Sequence, residues 1–148
     1  MKPRAVDVPY GAALADPADF TYPLTLDYLG SREDVAADRI AYVGLSLGSG
    51  VGATVIAGEE RLRTAIFWSG GFAAVAPPEN AAFSVSRVRR MQLPVLMLNG
   101  RHNFIFPLEL QQAFFGLLGT PPEHKRHVVY DAGHFGWPLG EFVRENLD

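Results

Sequence analysis

The sequence predicts an α/β domain of about four parallel strands flanked by helices, and three observations predict it. Short runs of strand length alternate with stretches of helical spacing, the order that parallel pairing with right-handed crossovers requires. One run, residues 40–43, breaks into Gly44-Leu45-Ser46-Leu47-Gly48 and continues with small residues, a strand that must turn sharply into a helix. Another, residues 94–98, is apolar throughout and bounded by turn formers, as a strand covered on both faces would be.

The elements follow in order. Residues 1–23 contain Pro3, Pro9, Pro17 and Pro23 among scattered acids and read as an extended lead-in. A helix is expected over 24–32, with Leu24, Tyr28 and Leu29 on one face and a close near Gly30. The strand at 40–43 comes next. The helix after Ser46 carries Leu47, Val51 and Val55 at one spacing, while Gly48, Gly52 and Ala53 permit close approach to a sheet. A strand over 63–68 runs into Ser69-Gly70-Gly71 and an irregular stretch holding Pro77 and Pro78, and 81–90 is weakly helical.

After the strand at 94–98, Asn99-Gly100 ends the run. Pro107 suits the first position of a helix that keeps Leu110, Phe114, Leu117 and Leu118 in register until Gly119 and Pro121 stop it. Residues 127–130 form a last strand, Gly133 turns the chain, and Leu139, Phe142, Val143 and Leu147 mark a closing helix. No repeat interrupts this order, so residues 24–148 are expected to form one unit.

Composition narrows the function. With 148 residues, 48% of them hydrophobic, the chain can bury one core. A net charge of -3 without a basic stripe argues against nucleic acid or an anionic membrane as partner. The absence of cysteine removes disulfides and thiolate chemistry, and the four histidines lack metal-ligand spacing, so neither metal nor cofactor is expected. Lys2 and Arg4 precede no apolar stretch, and no 18-residue apolar run follows, so a cytoplasmic protein is expected.

Chemistry centres on Ser46. A turn that lifts one hydroxyl clear of a sheet tolerates no bulk two positions before or after it, and Gly44 and Gly48 meet that demand. A serine hydroxyl needs a base, and catalytic groups of parallel sheets gather at the carboxyl ends of strands. His134, in Asp131-Ala132-Gly133-His134-Phe135, follows the last strand and emerges at that edge; His102 also lies there, whereas His124 and His127 lie at the other end.

On these residues the chain resembles the α/β-hydrolase superfamily, in its dienelactone-hydrolase and prolyl-oligopeptidase-like branches, from about residue 24 onward. Members place a serine in a Gly-x-Ser-x-Gly elbow, an acid in a Gly-x-x-Asp loop and a Gly-His pair after the last strand. Here Ser46, the Gly100-Arg101-His102-Asn103 loop and Gly133-His134 follow in that order, 57 and 31 residues apart. The resemblance implies hydrolysis of a small-molecule carboxylic ester through an acyl-Ser46 intermediate, with His134 as base, Asn103 holding its ring and the Leu47 N–H as oxyanion donor. Trp68 and Phe72 are candidates to line the substrate pocket, though core packing is the commoner fate of such residues.

The chain departs from the family's pattern in two ways. Asn103 stands where the family has aspartate, and Glu79, Glu109 and Asp131 are candidate substitute acids. The strands that precede the elbow in the family, and the loop supplying half the oxyanion hole, have no counterpart; Gly11 and Gly30 are the only glycines before Gly44. The expected fold is therefore a truncated, C-terminal part of a hydrolase domain. Its elbow strand would present a bare edge open to self-association. Both departures also fit another class of function, a catalytically inactive hydrolase-like binding or interaction module.

Overall fold

The chain is described by a computed structural model over residues 21–74 and 84–135. Glu79, the closing helix with Leu139, Phe142, Val143 and Leu147, and all but the last residues of the expected lead-in lie outside the described residues. Four strands form one sheet in the order β1-β2-β3-β4: β1 (Ile40–Leu45), β2 (Leu62–Trp68), β3 (Val95–Gly100) and β4 (Lys125–Tyr130). All three pairings are parallel, so every connection is a crossover. Helices α1 (Thr21–Gly30), α2 (Leu47–Ile56) and α3 (Leu108–Leu117), with a helical segment at 84–88, complete the described architecture. No helix among the described residues is long and apolar enough to cross a membrane.

Sequential strand order sends successive right-handed crossovers to the same side of the sheet. The main core lies there: Ala53 and Ile56 of α2, Val88, Phe114 of α3 and Leu26 of α1 meet Ala65, Phe67, Val95 and Met97 of the strands. Phe67 and Phe114 are fully buried or nearly so and meet edge to face at 5.7 Å. Burying each such side chain contributes about 1.5–3 kcal/mol. The opposite face gathers Leu98, Tyr130 and Ala132 with Ile66, Trp68, Leu96 and Val128. At its β1 margin Val43 and Leu45 are exposed.

Several boundaries differ from expectation, each for a local reason. Helix α1 begins at Thr21 rather than residue 24, because Pro23 falls in the first turn, where an N–H has no intrahelical acceptor. Its buried contact is Leu26, whereas Tyr28 is exposed and packs under the Arg32 guanidinium. Pro107 caps α3 from outside rather than occupying its first position, its carbonyl accepting the Leu110 and Gln111 N–H groups. Asn99 and Gly100 continue β3 instead of ending it, because the Asn99 side-chain amide donates to the Gly70 carbonyl at 2.6 Å and is buried in that bond.

Helix α2 turns its small face inward. Ser49, Gly52, Ala53, Thr54 and Ile56 are buried, and Leu47, Val51 and Val55 only partly so. The reason is Tyr42: a Cβ on Gly52 would lie 2.4 Å from its hydroxyl oxygen, so the helix rests on a ring that only glycine admits.

Candidate active site

Ser46 stands between β1 and α2 with φ 53 and ψ -111, a conformation costing a non-glycine residue on the order of 1–3 kcal/mol. What holds it there is close approach around the corner. A Cβ on Gly44 would lie 2.5 Å from the Gly48 carbonyl oxygen. Tyr42 fills the remaining space and donates its hydroxyl proton to that same carbonyl at 2.6 Å. Burial holds the Tyr42 phenol up at about 12, so it stays a neutral donor. The Ser46 N–H donates to the Trp68 carbonyl, which ties the corner to the end of β2. Leu47 opens α2, a position that leaves its N–H without an intrahelical acceptor beside Ser46.

His134 arrives from the far side of the sheet. The loops after β3 and β4 are bonded together, Arg101 N–H to the Tyr130 carbonyl and His102 N–H to the Ala132 carbonyl. Their approach depends on Gly100, whose Cβ would lie 2.1 Å from the Gly133 carbonyl oxygen. The outcome is a side-chain chain: Ser46 Oγ lies 2.8 Å from His134 Nε2, and His134 Nδ1 lies 3.2 Å from Asn103 Oδ1. The three residues that motif order singles out are thus brought together.

Asn103 is 3% exposed, and its Oδ1 also accepts the Ile105 and Phe106 N–H groups, both at 3.1 Å. Phe106 stacks on the imidazole at 5.9 Å, and Phe135 meets it edge on at 4.4 Å. This enclosure holds the His134 pKa below the ordinary imidazole range, because burial penalises the charged form.

The remaining candidates lie elsewhere. Asp131 is exposed and sits 2.9 Å from His102 Nε2, on the outside of the loop pair. Glu109 is exposed in the first turn of α3. Trp68 is half-buried in the cluster on the second face of the sheet, and Phe72 packs edge to face on Phe114 at 5.2 Å. Among the described residues no group of three or more acids or histidines could hold a metal ion.

Ser69 was not anticipated. It is fully buried directly after β2, with Oγ 3.1 Å from His134 Nδ1, and its only sequence signal is that position at the carboxyl end of a strand. Gln111 is a second such residue: buried in α3, it donates to the Gly100 and Phe106 carbonyls and so steadies the Asn103 loop from below.

A parallel sheet whose first described strand turns through a strained serine, with a histidine returning from the last strand, is the α/β-hydrolase fold in the portion this chain covers. The solved structures it resembles include a zinc-bound cold-adapted esterase from an Arctic intertidal metagenomic library, with a TM-score of 0.72 and 23% identity over 92% of this chain and 57% of that one. An acetyl xylan esterase from a Paenibacillus species matches with a TM-score of 0.66 and 24% identity, over 88% of this chain and 53% of its own. Acetyl xylan esterase 1 from a Thermoanaerobacterium species matches at 0.63 and 19%, over 82% and 48%. The chain therefore spans about half the length of each of these structures. No protein-family model and no curated protein sequence matches it.

Proposed function

We propose that the chain carries the nucleophile, base and orienting residue of a serine ester hydrolase, similar to the dienelactone-hydrolase and prolyl-oligopeptidase-like branches of the superfamily. The observation that carries this reading is the 2.8 Å contact between Ser46 Oγ and His134 Nε2 at a strained corner. Ser46 Oγ attacks the ester carbonyl carbon while its proton passes to Nε2. The carbonyl oxygen becomes an oxyanion facing the Leu47 N–H. Collapse breaks the bond to the alcohol oxygen, which takes the proton from Nε2 and leaves an acyl-Ser46. Water then repeats the sequence, losing its proton to Nε2 and releasing the acid.

Asn103 orients the imidazole through Oδ1 but supplies no charge to balance the imidazolium, so turnover is expected to be slow. In a serine triad the change from acid to amide lowers turnover about 10⁴-fold where the amide leaves the imidazole in the wrong tautomer; here the amide oxygen faces Nδ1, so a smaller loss is expected. Trp68 and Phe72 pack into the clusters on opposite faces of the sheet, so the acyl group is not assigned to them, and no cofactor takes part. Acetyl esters are the first substrates to try, given the structures that the chain resembles. The neutral Asn103 also favours a second reading, a binding module that keeps the fold without turnover.

A fluorophosphonate probe separates the two. Labelling of the wild-type chain that disappears in Ser46→Ala and falls at least about 10³-fold in His134→Ala supports the hydrolase. Labelling that survives Ser46→Ala, or none in the wild-type chain, leaves the binding module.

A further inference from the structure

We propose that Ser69 is a positioning residue for His134, which with Asn103 fixes the imidazole in its Nδ1–H tautomer and leaves Nε2 bare toward Ser46. Its catalytic meaning rests on the hydrolase reading, but the hydrogen-bond accounting does not. Asn103 Oδ1 and Nδ2 can be told apart, because the oxygen takes two backbone N–H groups, Ile105 and Phe106, which the amide nitrogen could not accept. The Asn103 Nδ2 group therefore points at Ser69 and donates to its Oγ at 3.2 Å.

Ser69 has one proton to give. Its Oγ lies 2.6 Å from the His134 backbone carbonyl, an acceptor with no hydrogen of its own, so the hydroxyl proton is committed there. What Ser69 turns toward Nδ1 is a lone pair. Asn103 Oδ1 turns one as well. With two acceptors facing Nδ1 at 3.1 and 3.2 Å, the ring proton belongs on Nδ1 and is shared between them. Nε2 is then the acceptor that the Ser46 hydroxyl requires.

Two further observations converge on this residue. Ser46 and Ser69 are the non-glycine residues with positive φ among those described, at 53 and 54, and each meets a different nitrogen of the same ring. Strain held by the surrounding structure gathers where geometry serves a function. The accounting also gives a reason for an amide at position 103. A carboxylate would turn a second acceptor toward Ser69, and the single hydroxyl proton would have to leave the His134 carbonyl to meet it. Asn103 and Ser69 form a matched pair, in which the amide supplies the donor and the hydroxyl the extra acceptor.

Nitrogen-15 NMR of the imidazole, on the full chain at a pH where the ring is neutral and with His134→Ala to identify its signals, tests the proposal without reference to turnover. The wild-type chain is expected to show the Nδ1–H form in large excess. In Ser69→Ala, which keeps the Cβ and the backbone strain, the ratio of Nδ1–H to Nε2–H should fall about three- to tenfold, the worth of one neutral hydrogen bond. An unchanged ratio in a folded Ser69→Ala would overturn the proposal, since a structural role alone would not move the tautomer. If that variant does not fold, the wild-type spectrum decides: an Nε2–H form or an even mixture sinks it. A tautomer ratio that falls in Ser69→Ala while the wild-type chain shows no fluorophosphonate labelling supports Ser69 and counts against the hydrolase instead.

Discussion

Ser46 and Ser69 share a positive φ and a histidine, yet they are held by different means. Around Ser46 the structure works by omission: Gly44 and Gly52 lack the atoms that would collide with the Gly48 carbonyl and the Tyr42 ring. Around Ser69 saturation is added to the close approach at Gly70 and Gly100, with the Asn103 amide, the His134 carbonyl and the Leu98 carbonyl each taking part in one of its hydrogen bonds. The Ser46 side should therefore fail when a methyl group is added and lose only about 1 kcal/mol when a polar atom is removed. The far side should respond to an exchange of one polar atom that leaves volume unchanged.

The largest effect expected from breaking this contrast is at Gly44. Gly44→Ala places a methyl group 2.5 Å from a backbone oxygen that cannot step aside, and should cost about 3 kcal/mol or more, read by denaturant unfolding. On the far side, Asn103→Asp changes no volume. It should raise the labelling rate at least about tenfold, yet stay well short of the about 10⁴ that separates acid from amide where the amide imposes the wrong tautomer, because Asn103 already turns its oxygen to Nδ1 and the carboxylate must compete for the Ser69 proton. A variant that gains nothing would move the defect to the oxyanion side. Tyr42→Phe removes the bond to the Gly48 carbonyl and should cost about 1 kcal/mol in thermal unfolding while leaving the His134 tautomer untouched.

Gly116 supplies the control for glycine itself. It is exposed in α3 with nothing within 4 Å of an added Cβ, so Gly116→Ala should stabilise by about 0.5–1 kcal/mol where the same exchange at Gly44 is ruinous. The pH dependence is gentler. Burial lowers the His134 pKa, and only the neutral ring can accept the Ser46 proton, so labelling should rise through a midpoint below the usual histidine value of about 6.5 and stay level through neutrality. Asn103→Asp should shift that midpoint upward. Stability moves with the same sign: His134 and His127 are both lowered by burial, so the unfolded chain binds more protons, and stability falls as pH drops from about 6.5 through the folded values.

The same contrast explains what the sequence made legible. Omission leaves a trace, because glycines at fixed offsets around a serine are improbable by chance, and Gly44, Ser46 and Gly48 therefore pointed to the corner before any coordinates did. His134 and Asn103 were legible through chain order, each following a strand that could be recognised by its apolar run. Saturation leaves no such trace. Ser69 opens an ordinary Ser-Gly-Gly turn, and Asn99 and Gln111 look like residues of a turn and a helix surface until a tertiary fold brings carbonyls to their amides. The close-packing face of α2 was legible for the same reason as the corner, in Gly52 and Ala53, but its partner was not, since nothing in the strand's sequence singles out Tyr42 as the ring the helix rests on.

Ser46 follows the strand at one margin of the sheet and His134 follows the strand at the other, 88 residues away along the chain. Three interstrand spacings, about 14 Å, separate those margins, and the loops after β2, β3 and β4 close the gap together. If the proposed hydrolase reading holds, reactivity at Ser46 becomes a gauge of whether these four strands are assembled. Should β4 detach in a local opening, the hydroxyl loses its histidine while the corner that strains it stays intact, so labelling at Ser46 is expected to fade before the rest of the molecule melts.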